Sequence, residues 1–194
     1  MIKKLGLAIL CATSAFAMHN VSLDINNKDI EIGARLDMGQ FNDSVEPDTV
    51  FLGGKFLHGD KDHGDLAKSE DYAELNFLMQ REIESIGLNI GLGVKFNYVK
   101  DFSSVPLGAE IVYKLPFEDV MPMRVGGSFY YAPQVLTMQD GENYLEYRFE
   151  FDVEVISNAH VFVGYRNIDV NYDTKHGGDK NYNSSGYLGF KFAF

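Results

Sequence analysis

The chain has 194 residues, enough for one domain, and its 28 acidic and 17 basic side chains give a formal charge of −11 at pH 7. An acidic chain without a basic stripe is excluded as a nucleic-acid binder. Its 15 Phe and 11 Tyr, with no Trp, indicate a folded all-β protein and exclude a disordered one.

The N-terminus predicts a cleaved secretory signal. Lys3 and Lys4 precede an apolar stretch over residues 5–16, and Ala15-Phe16-Ala17 is a small-x-small cleavage pattern. The apolar stretch is too short to span a bilayer as a helix. We predict that residues 1–17 are removed and that residues 18–194 form a single barrel domain. This domain has no cysteine, since Cys11 leaves with the signal, and loss of the two lysines takes the formal charge from −11 to −13.

Beyond the signal, alternating apolar and polar side chains predict a series of strands, because successive side chains of a strand point to opposite faces. In chain order the predicted strands cover residues 21–25, 30–38, 49–58, 71–80, 88–98, 107–115, 125–131, 144–156, 160–170 and 188–194. The links at 59–70, 132–142 and 171–183 are predicted to be long outer loops. These elements predict an all-β, antiparallel transmembrane β-barrel of ten strands, with eight as the alternative if an irregular pair fails.

The strand predicted at 144–156 indicates which face of the barrel meets lipid. Leu145, Phe149 and Val153 share an apolar face, whereas Glu146 and Arg148 share an almost fully ionised face. A long strand of this kind suits a membrane barrel with lipid outside and a polar lumen inside. Two aromatic belts are predicted near the strand ends, an outer one of Tyr98, Tyr131, Tyr147 and Tyr165 and a periplasmic one of Tyr113, Phe192 and Phe194.

Charged side chains of the polar face are then predicted to fill the lumen. Both signs occur in similar number, which favours a network of ion pairs over a selectivity ring of one sign. The predicted lumen ion network consists of Arg35, Lys95, Glu110, Arg124, Glu146, Arg148, Glu150, Asp152, Glu154, Arg166 and Lys191. Glu31, Asp37, Lys55, Glu74 and Lys114 share the same parity.

The last residues, Gly186-Tyr-Leu-Gly-Phe-Lys-Phe-Ala-Phe194, place Phe190, Phe192 and Phe194 on alternate positions. This ending resembles the C-terminal signature by which assembly machinery recognises bacterial outer-membrane barrels, and the resemblance implies that machinery as a partner. Upstream, Phe129-Tyr130-Tyr131-Ala-Pro133 and Val163-Gly164-Tyr165-Arg166, with Val170 and Tyr172, resemble strands of the YfaZ family. That family consists of outer-membrane proteins without an assigned activity. The resemblance covers about the C-terminal third closely; it implies location and fold and supplies no catalytic residue.

One loop contains residue types that bind metals. His58-Gly-Asp60-Lys-Asp62-His63-Gly-Asp65 offers two imidazoles and three carboxylates, but the spacing departs from that of a calcium loop and no bidentate Glu ends it. We therefore predict a solvated acidic outer loop, which divalent cations could bridge to lipopolysaccharide, and no metal site.

Enzymes and a soluble binding protein are the alternatives. Lipid-A deacylases carry His-x-Ser on a late strand, whereas His160 here is followed by Val161 and Phe162. Outer-membrane proteases pair Asp and His above the membrane, and ten crossings of ~10 residues leave too little chain for such an extension. A soluble periplasmic barrel that binds an apolar ligand would turn the apolar face inward.

The sequence therefore predicts a small, monomeric outer-membrane barrel that is structural or forms a narrow passive channel. No enzymatic activity, catalytic residue or cofactor is predicted. Its predicted partners are outer-membrane lipid, lipopolysaccharide and the barrel assembly machinery.

Overall fold

The computed structural model describes residues 19–59, 71–99, 102–117, 121–139, 141–172 and 179–194. The predicted signal, residues 1–17, lies outside them. Their strands are β1 (Asn20–Ile25), β2 (Asp29–Asp37), β3 (Val50–Gly59), β4 (Tyr72–Ile83), β5 (Leu88–Val99), β6 (Phe102–Ser104), β7 (Leu107–Lys114), β8 (Met123–Ala132), β9 (Thr137–Gln139), β10 (Gly141–Ile156), β11 (Ala159–Tyr172) and β12 (Asp179–Ala193). Short 3-10 helices occupy Met38–Gln40, Glu84–Ile86 and Gln134–Leu136. None of the helices in this part of the chain is long and apolar enough to cross a membrane.

Ten of these strands close into one antiparallel barrel. Their order is β4-β3-β2-β1-β12-β11-β10-β8-β7-β5, and pairing of β4 with β5 completes the circle. The seam between the first and last strands runs from the pair Asn20 and Ala193 to the pair Ile25 and Leu188. The predicted barrel of ten strands is confirmed, and the alternative of eight is wrong.

The remaining strands, β6 and β9, extend the wall at one end of the barrel. β6 and β7 both pair with β5, in one continuous register. On its other side β6 pairs with the three residues of β9. The predicted loops at 132–142 and 171–183 are therefore wrong in extent, because β9 lies in the first and the ends of β11 and β12 shorten the second. Three-residue strands are too short to show alternation, and the upper part of β12 carries Asn and Ser in place of the apolar face by which the other strands were recognised.

The two faces of the barrel have opposite character. Leu92 is 69% exposed and Phe149 is 60% exposed on the outside, whereas the inward Glu146 and Arg166 are fully buried. The predicted orientation, with apolar residues outward, is confirmed, and a soluble barrel with an apolar interior is wrong. Several of the predicted belt residues, Tyr98, Tyr113, Tyr131 and Tyr165, are exposed on this outer face.

Glycines make room for aromatic rings inside the narrow barrel. The ring of Tyr130 lies so close to Gly108 that an added Cβ would be 2.5 Å from the ring and 2.1 Å from the carbonyl oxygen of Phe129. Gly189 accommodates the ring of Phe162 in the same way, with 2.2 Å to the nearest ring atom. The small residues on the polar face are thus explained by close approach of side chains from neighbouring strands.

The two barrel ends are named after the sequence prediction, which places the links at 59–70, 132–142 and 171–183 outside. We call the end that carries Asn20, Ala193 and the two-residue turn between β10 and β11 the periplasmic end. The opposite end, which carries β6 and β9, is the outer end.

Candidate functional site

The lumen contains three levels along the barrel axis. An apolar and tyrosine-rich cluster closes the outer end, buried ion pairs cross the middle, and a cavity opens at the periplasmic end. We call these the outer plug, the ion layer and the periplasmic cavity. Each is built from inward residues of the alternating strands, because every second side chain of a barrel strand points into the lumen.

Arg148 of β10 is the centre of the ion layer. Its Nη1 and Nη2 donate to Oε1 and Oε2 of Glu31, at 2.6 and 2.9 Å, and its Nε donates to Oε1 of Glu146 at 2.6 Å. This two-pronged contact fixes the guanidinium against a carboxylate from the other side of the barrel, a geometry that Arg adopts readily. The ion pair thus connects β10 with β2 across the lumen.

Arg166 of β11 forms ion pairs with carboxylates of β1 and β2. Its Nη1 donates to Asp24 Oδ1 at 2.9 Å and to Glu31 Oε2 at 3.0 Å, and its Nη2 contacts Asp29. Its Nε donates to Asn183 Oδ1 at 3.0 Å. This residue therefore ties β1 and β2 to the strands at the end of the chain.

Lys95 of β5 completes the ion layer. Its Nζ lies 2.7 Å from Glu146 Oε2 and 3.2 Å from Glu74 Oε2, and it stands 3.9 Å from the centre of the Tyr130 ring. Both carboxylates are fully buried. A buried charge needs such compensation, because losing water without a partner is very costly.

Further ion pairs lie nearer the periplasmic end. Nη2 of Arg35 contacts both Glu110 oxygens, at 2.9 and 3.0 Å, and the Tyr130 hydroxyl donates to the same carboxylate at 2.8 Å. Below this pair, Arg124 donates to Asp152 Oδ1 at 2.9 Å through Nη2, and Lys191 donates to Glu150 Oε1 at 2.8 Å. These cations are a quarter or more exposed to the periplasmic cavity, unlike those of the ion layer.

The structure brings ten of the eleven predicted network residues into ion pairs with one another or with carboxylates of the same face. Glu154 is placed differently, because its Oε1 accepts from the backbone N–H of Asn158 in the turn after β10. Sequence reasoning missed Asp24, Asp29 and Asn183. All three share the parity of inward neighbours, Asp24 with Ser22, Asp29 with Glu31 and Asn183 with Tyr187. Asp29 and Asn183 were missed because they precede the predicted starts of their strands, residues 30 and 188.

The outer plug is built from Leu57, Tyr72, Val99, Phe102, Ala132, Tyr144, Ile168 and Val170, all at most 2% exposed. The hydroxyls of Tyr72 and Tyr144 lie 3.0 Å apart, and Tyr144 also donates to Glu146 Oε2 at 2.8 Å. The Phe102 ring stacks on the Tyr144 ring, with 6.1 Å between their centres. The two tyrosines therefore join the apolar plug to the ion layer beneath it.

The periplasmic cavity has a volume of about 790 Å³. Its walls carry Arg35, Arg124, Asp152 and Lys191, and Phe117 lies at its mouth. This volume is within the range of small-molecule sites, ~300–1,000 Å³. Charges of both signs line it, together with apolar side chains such as Phe51 and Phe162.

Metal binding has little support in the described ranges, where no group of three or more His, Cys, Asp or Glu side chains could hold an ion. At the outer rim, His58 Nδ1 and Asp71 Oδ1 lie 2.6 Å apart and both side chains are exposed. The rest of the predicted His58–Asp65 loop, from residue 60 onward, lies outside the described residues.

Comparison with solved structures shows a porin-like fold. A KdgM porin in complex with disordered oligogalacturonate superposes with a TM-score of 0.50 at 7% identity, over 91% of this chain and 98% of that chain. A second structure, titled KdgM porin, gives a TM-score of 0.48 at 8% identity over the same shares of both chains. A major outer membrane protein from Thermus thermophilus gives 0.33 at 11% identity, over 92% of this chain and 99% of that chain.

Comparison of sequences gives the family. None of the curated proteins matches the chain. A family model described as YfaZ precursor matches residues 2–194, which extends the resemblance found in the C-terminal third over nearly the whole chain. Together with the barrel fold, this match shows that the chain belongs to the YfaZ family.

Proposed function

We propose that the mature protein is a non-enzymatic outer-membrane barrel that acts as a narrow passive channel and is closed in the conformation seen here. The observation that carries this proposal is a lumen with a cavity of about 790 Å³, lined by charges of both signs, at one end and side chains filling the rest. A barrel of ten strands leaves only modest internal space, so a narrow pore fits its size.

A purely structural barrel is the second candidate, and the ion layer favours it. Arg148 and Arg166 connect strands from opposite parts of the chain and are both nearly or fully buried. Such cross-links stiffen the wall whether or not solutes pass. Conductance is the property that separates the two candidates.

Location and partners are part of the same proposal. Residues 1–17 would be removed on export, and the exposed apolar face would contact lipid and lipopolysaccharide as a monomer. Phe190 is 46% exposed on that face, and the rings of Phe192 and Phe194 stack with 6.3 Å between their centres. We assign Phe190, Phe192 and Phe194 to recognition by the barrel assembly machinery.

The test combines a gel and a recording on one purified sample. A membrane barrel should migrate differently before and after boiling, and the unboiled form should give small, infrequent current steps in a planar bilayer. A heat-dependent shift without current steps at any voltage would reject the channel and leave the structural barrel. Protein that is soluble without detergent and shows no shift would reject the membrane barrel itself.

A further inference from the structure

Buried side-chain atoms that lack a hydrogen-bond partner are concentrated in one part of the lumen. Among the described residues, the buried side-chain atoms that find no partner are Asn76 Oδ1, Asn97 Oδ1, Asn97 Nδ2 and Ser104 Oγ. Asn97 of β5 pairs with Ser104 of β6, and Asn76 stands on the adjacent strand β4. We call these three side chains the orphan patch.

The orphan patch contrasts with the rest of the lumen. Arg166, Glu146 and Arg148 are just as buried, yet each makes two or more charge-assisted hydrogen bonds. Buried polar groups are nearly always paired in folded proteins, and each exception calls for an explanation such as strain or a missing water. In the part of the chain that the structure describes, the buried side-chain atoms without a partner therefore lie along one wall of the lumen, on β4, β5 and β6.

The position of the orphan patch relates it to the outer plug. Phe102 and Ser104 lie two residues apart on β6 and so face the same side, and Val99 and Asn97 do the same on β5. The pair Asn97–Ser104 thus lies directly beneath the pair Val99–Phe102. Phe102 is the apolar cover that keeps water from the orphan patch.

The strand that carries Phe102 is short, and backbone hydrogen bonds from Lys95 N–H to the Pro106 carbonyl and from Val105 N–H to the Leu136 carbonyl continue its pairing toward β7. β6 has three residue pairs with β5 and three with β9, whereas β10 and β11 share fourteen pairs. β9 ends at Gln139, whose φ of 62° lies in the left-handed region that residues with side chains seldom adopt. Displacing β6 therefore breaks fewer residue pairs than displacing a full-length barrel strand would.

We propose that the outer plug is a hydrophobic gate, that Phe102 is the residue that decides permeability, and that the gate opens along the β5–β6 wall, where water then reaches Asn97 and Ser104. This inference rests on the proposed channel function. Apolar constrictions close pores by excluding water, so a small displacement of one ring can switch the path between dry and wet. The ion layer remains beneath the gate as a second constriction. Ions pass it only when its ion pairs separate, so the open path excludes larger solutes.

The first test compares two lumen phenylalanines. Phe102→Ser removes the apolar cover, and Phe162→Ser truncates an equally buried ring that packs against Tyr187 below the ion layer. Folding of the variant is first confirmed by a heat-dependent gel shift. The open probability of Phe102→Ser should then exceed that of wild type by about tenfold or more, because the free energy of burying a Phe side chain favours the closed state by more than this factor. Phe162→Ser should stay at the wild-type level.

The second test addresses the orphan patch and serves also if Phe102→Ser fails to fold. Asn97→Leu replaces an unpaired amide by an apolar group of similar size, so the closed state should become more stable and openings rarer. Asn183→Leu is the matched control, because Asn183 makes hydrogen bonds with Arg166 and Asp29 and its loss should destabilise the barrel.

The outcomes separate the gate from the channel. Wild-type current steps that are unchanged in Phe102→Ser would overturn the gate and leave the channel. Absence of steps in wild type and in folded Phe102→Ser would reject both. A loss of stability in Asn97→Leu as large as that in Asn183→Leu would also overturn the gate, since Asn97 would then be satisfied in the closed state.

Discussion

Adjacent residues in this barrel experience opposite environments. Phe149 is 60% exposed on the lipid-facing side of β10, whereas Arg148, one position earlier, is buried in the ion layer. The chemistry of a position is therefore set by its parity and not by its neighbours in sequence.

Phe149→Arg should destabilise the barrel by about 2–4 kcal/mol, because it places a charge on the lipid face near the middle of a strand. The free energy of unfolding in urea, measured with the protein in lipid vesicles, tests this, and Phe149→Leu is the control that should remain near wild type. Arg148→Phe should be costly as well, because it removes the contacts of Arg148 with Glu31 and Glu146.

Arg166→Met should cost about 3–5 kcal/mol, because it leaves the carboxylates of Asp24, Asp29 and Glu31 buried without this partner. Arg124→Met is the comparison. Arg124 is 31% exposed and its partner Asp152 keeps Lys191, so its loss should cost about 1 kcal/mol or less. Equal losses in the same unfolding assay would show that burial of the ion layer is not what makes Arg166 important.

Residue patterns predicted the faces of the lumen but not the partners within it. Alternation assigned Arg148 and Arg166 to the lumen because each lies on a long, regular strand. It could not show that Arg166 meets Asp24, since that contact depends on how the first and last strands close. It also placed Glu154 in the ion network, whereas the Glu154 carboxylate accepts a hydrogen bond from the backbone N–H of Asn158 in the next turn.

At the scale of whole elements, glycines set how closely neighbouring strands and rings can pack. Gly108→Ala on β7 should destabilise the barrel by about 1–3 kcal/mol or more, because the new methyl group meets backbone and a buried ring that cannot move aside. Gly126→Ala on β8 is the matched control. A Cβ there would lie 3.5 Å from its nearest neighbours, so stability should change by less than ~1 kcal/mol. The measurement is the unfolding temperature of both variants in detergent. Equal unfolding temperatures would contradict the close packing inferred at Gly108.

Strands with an apolar face were predictable, whereas β6, β9 and the upper part of β12 were not. The first two are three residues long, and the third carries Asn181, Asn183, Ser184 and Ser185. Above the membrane a strand needs no apolar face, so its sequence loses the alternation by which it would be recognised. The gate region was therefore absent from the sequence prediction for a physical reason.

The whole barrel should resist salt, because its ion pairs are shielded from solvent. Exposed charges are largely screened at ~1 M salt, whereas buried pairs are screened much less. We expect the unfolding temperature in detergent to change little between ~0.1 and ~1 M salt, and a large fall would show that water enters the ion layer. Lys114→Ala, which removes an exposed pair with Glu82, should not alter this salt response.

The seam between β1 and β12 affects how the barrel folds. The first strand of the barrel pairs with β2 on one side but must wait for the last strand to pair on its other side, and Asp24 meets Arg166 across 142 positions of the chain. Contacts of such sequence separation form slowly, and apolar faces left uncovered in the meantime aggregate. We therefore expect purified, unfolded protein to aggregate in buffer unless a detergent or bilayer is present while the barrel closes. Arg166 can form its ion pairs with β1 and β2 only after β1 has paired with β12 and the barrel has closed.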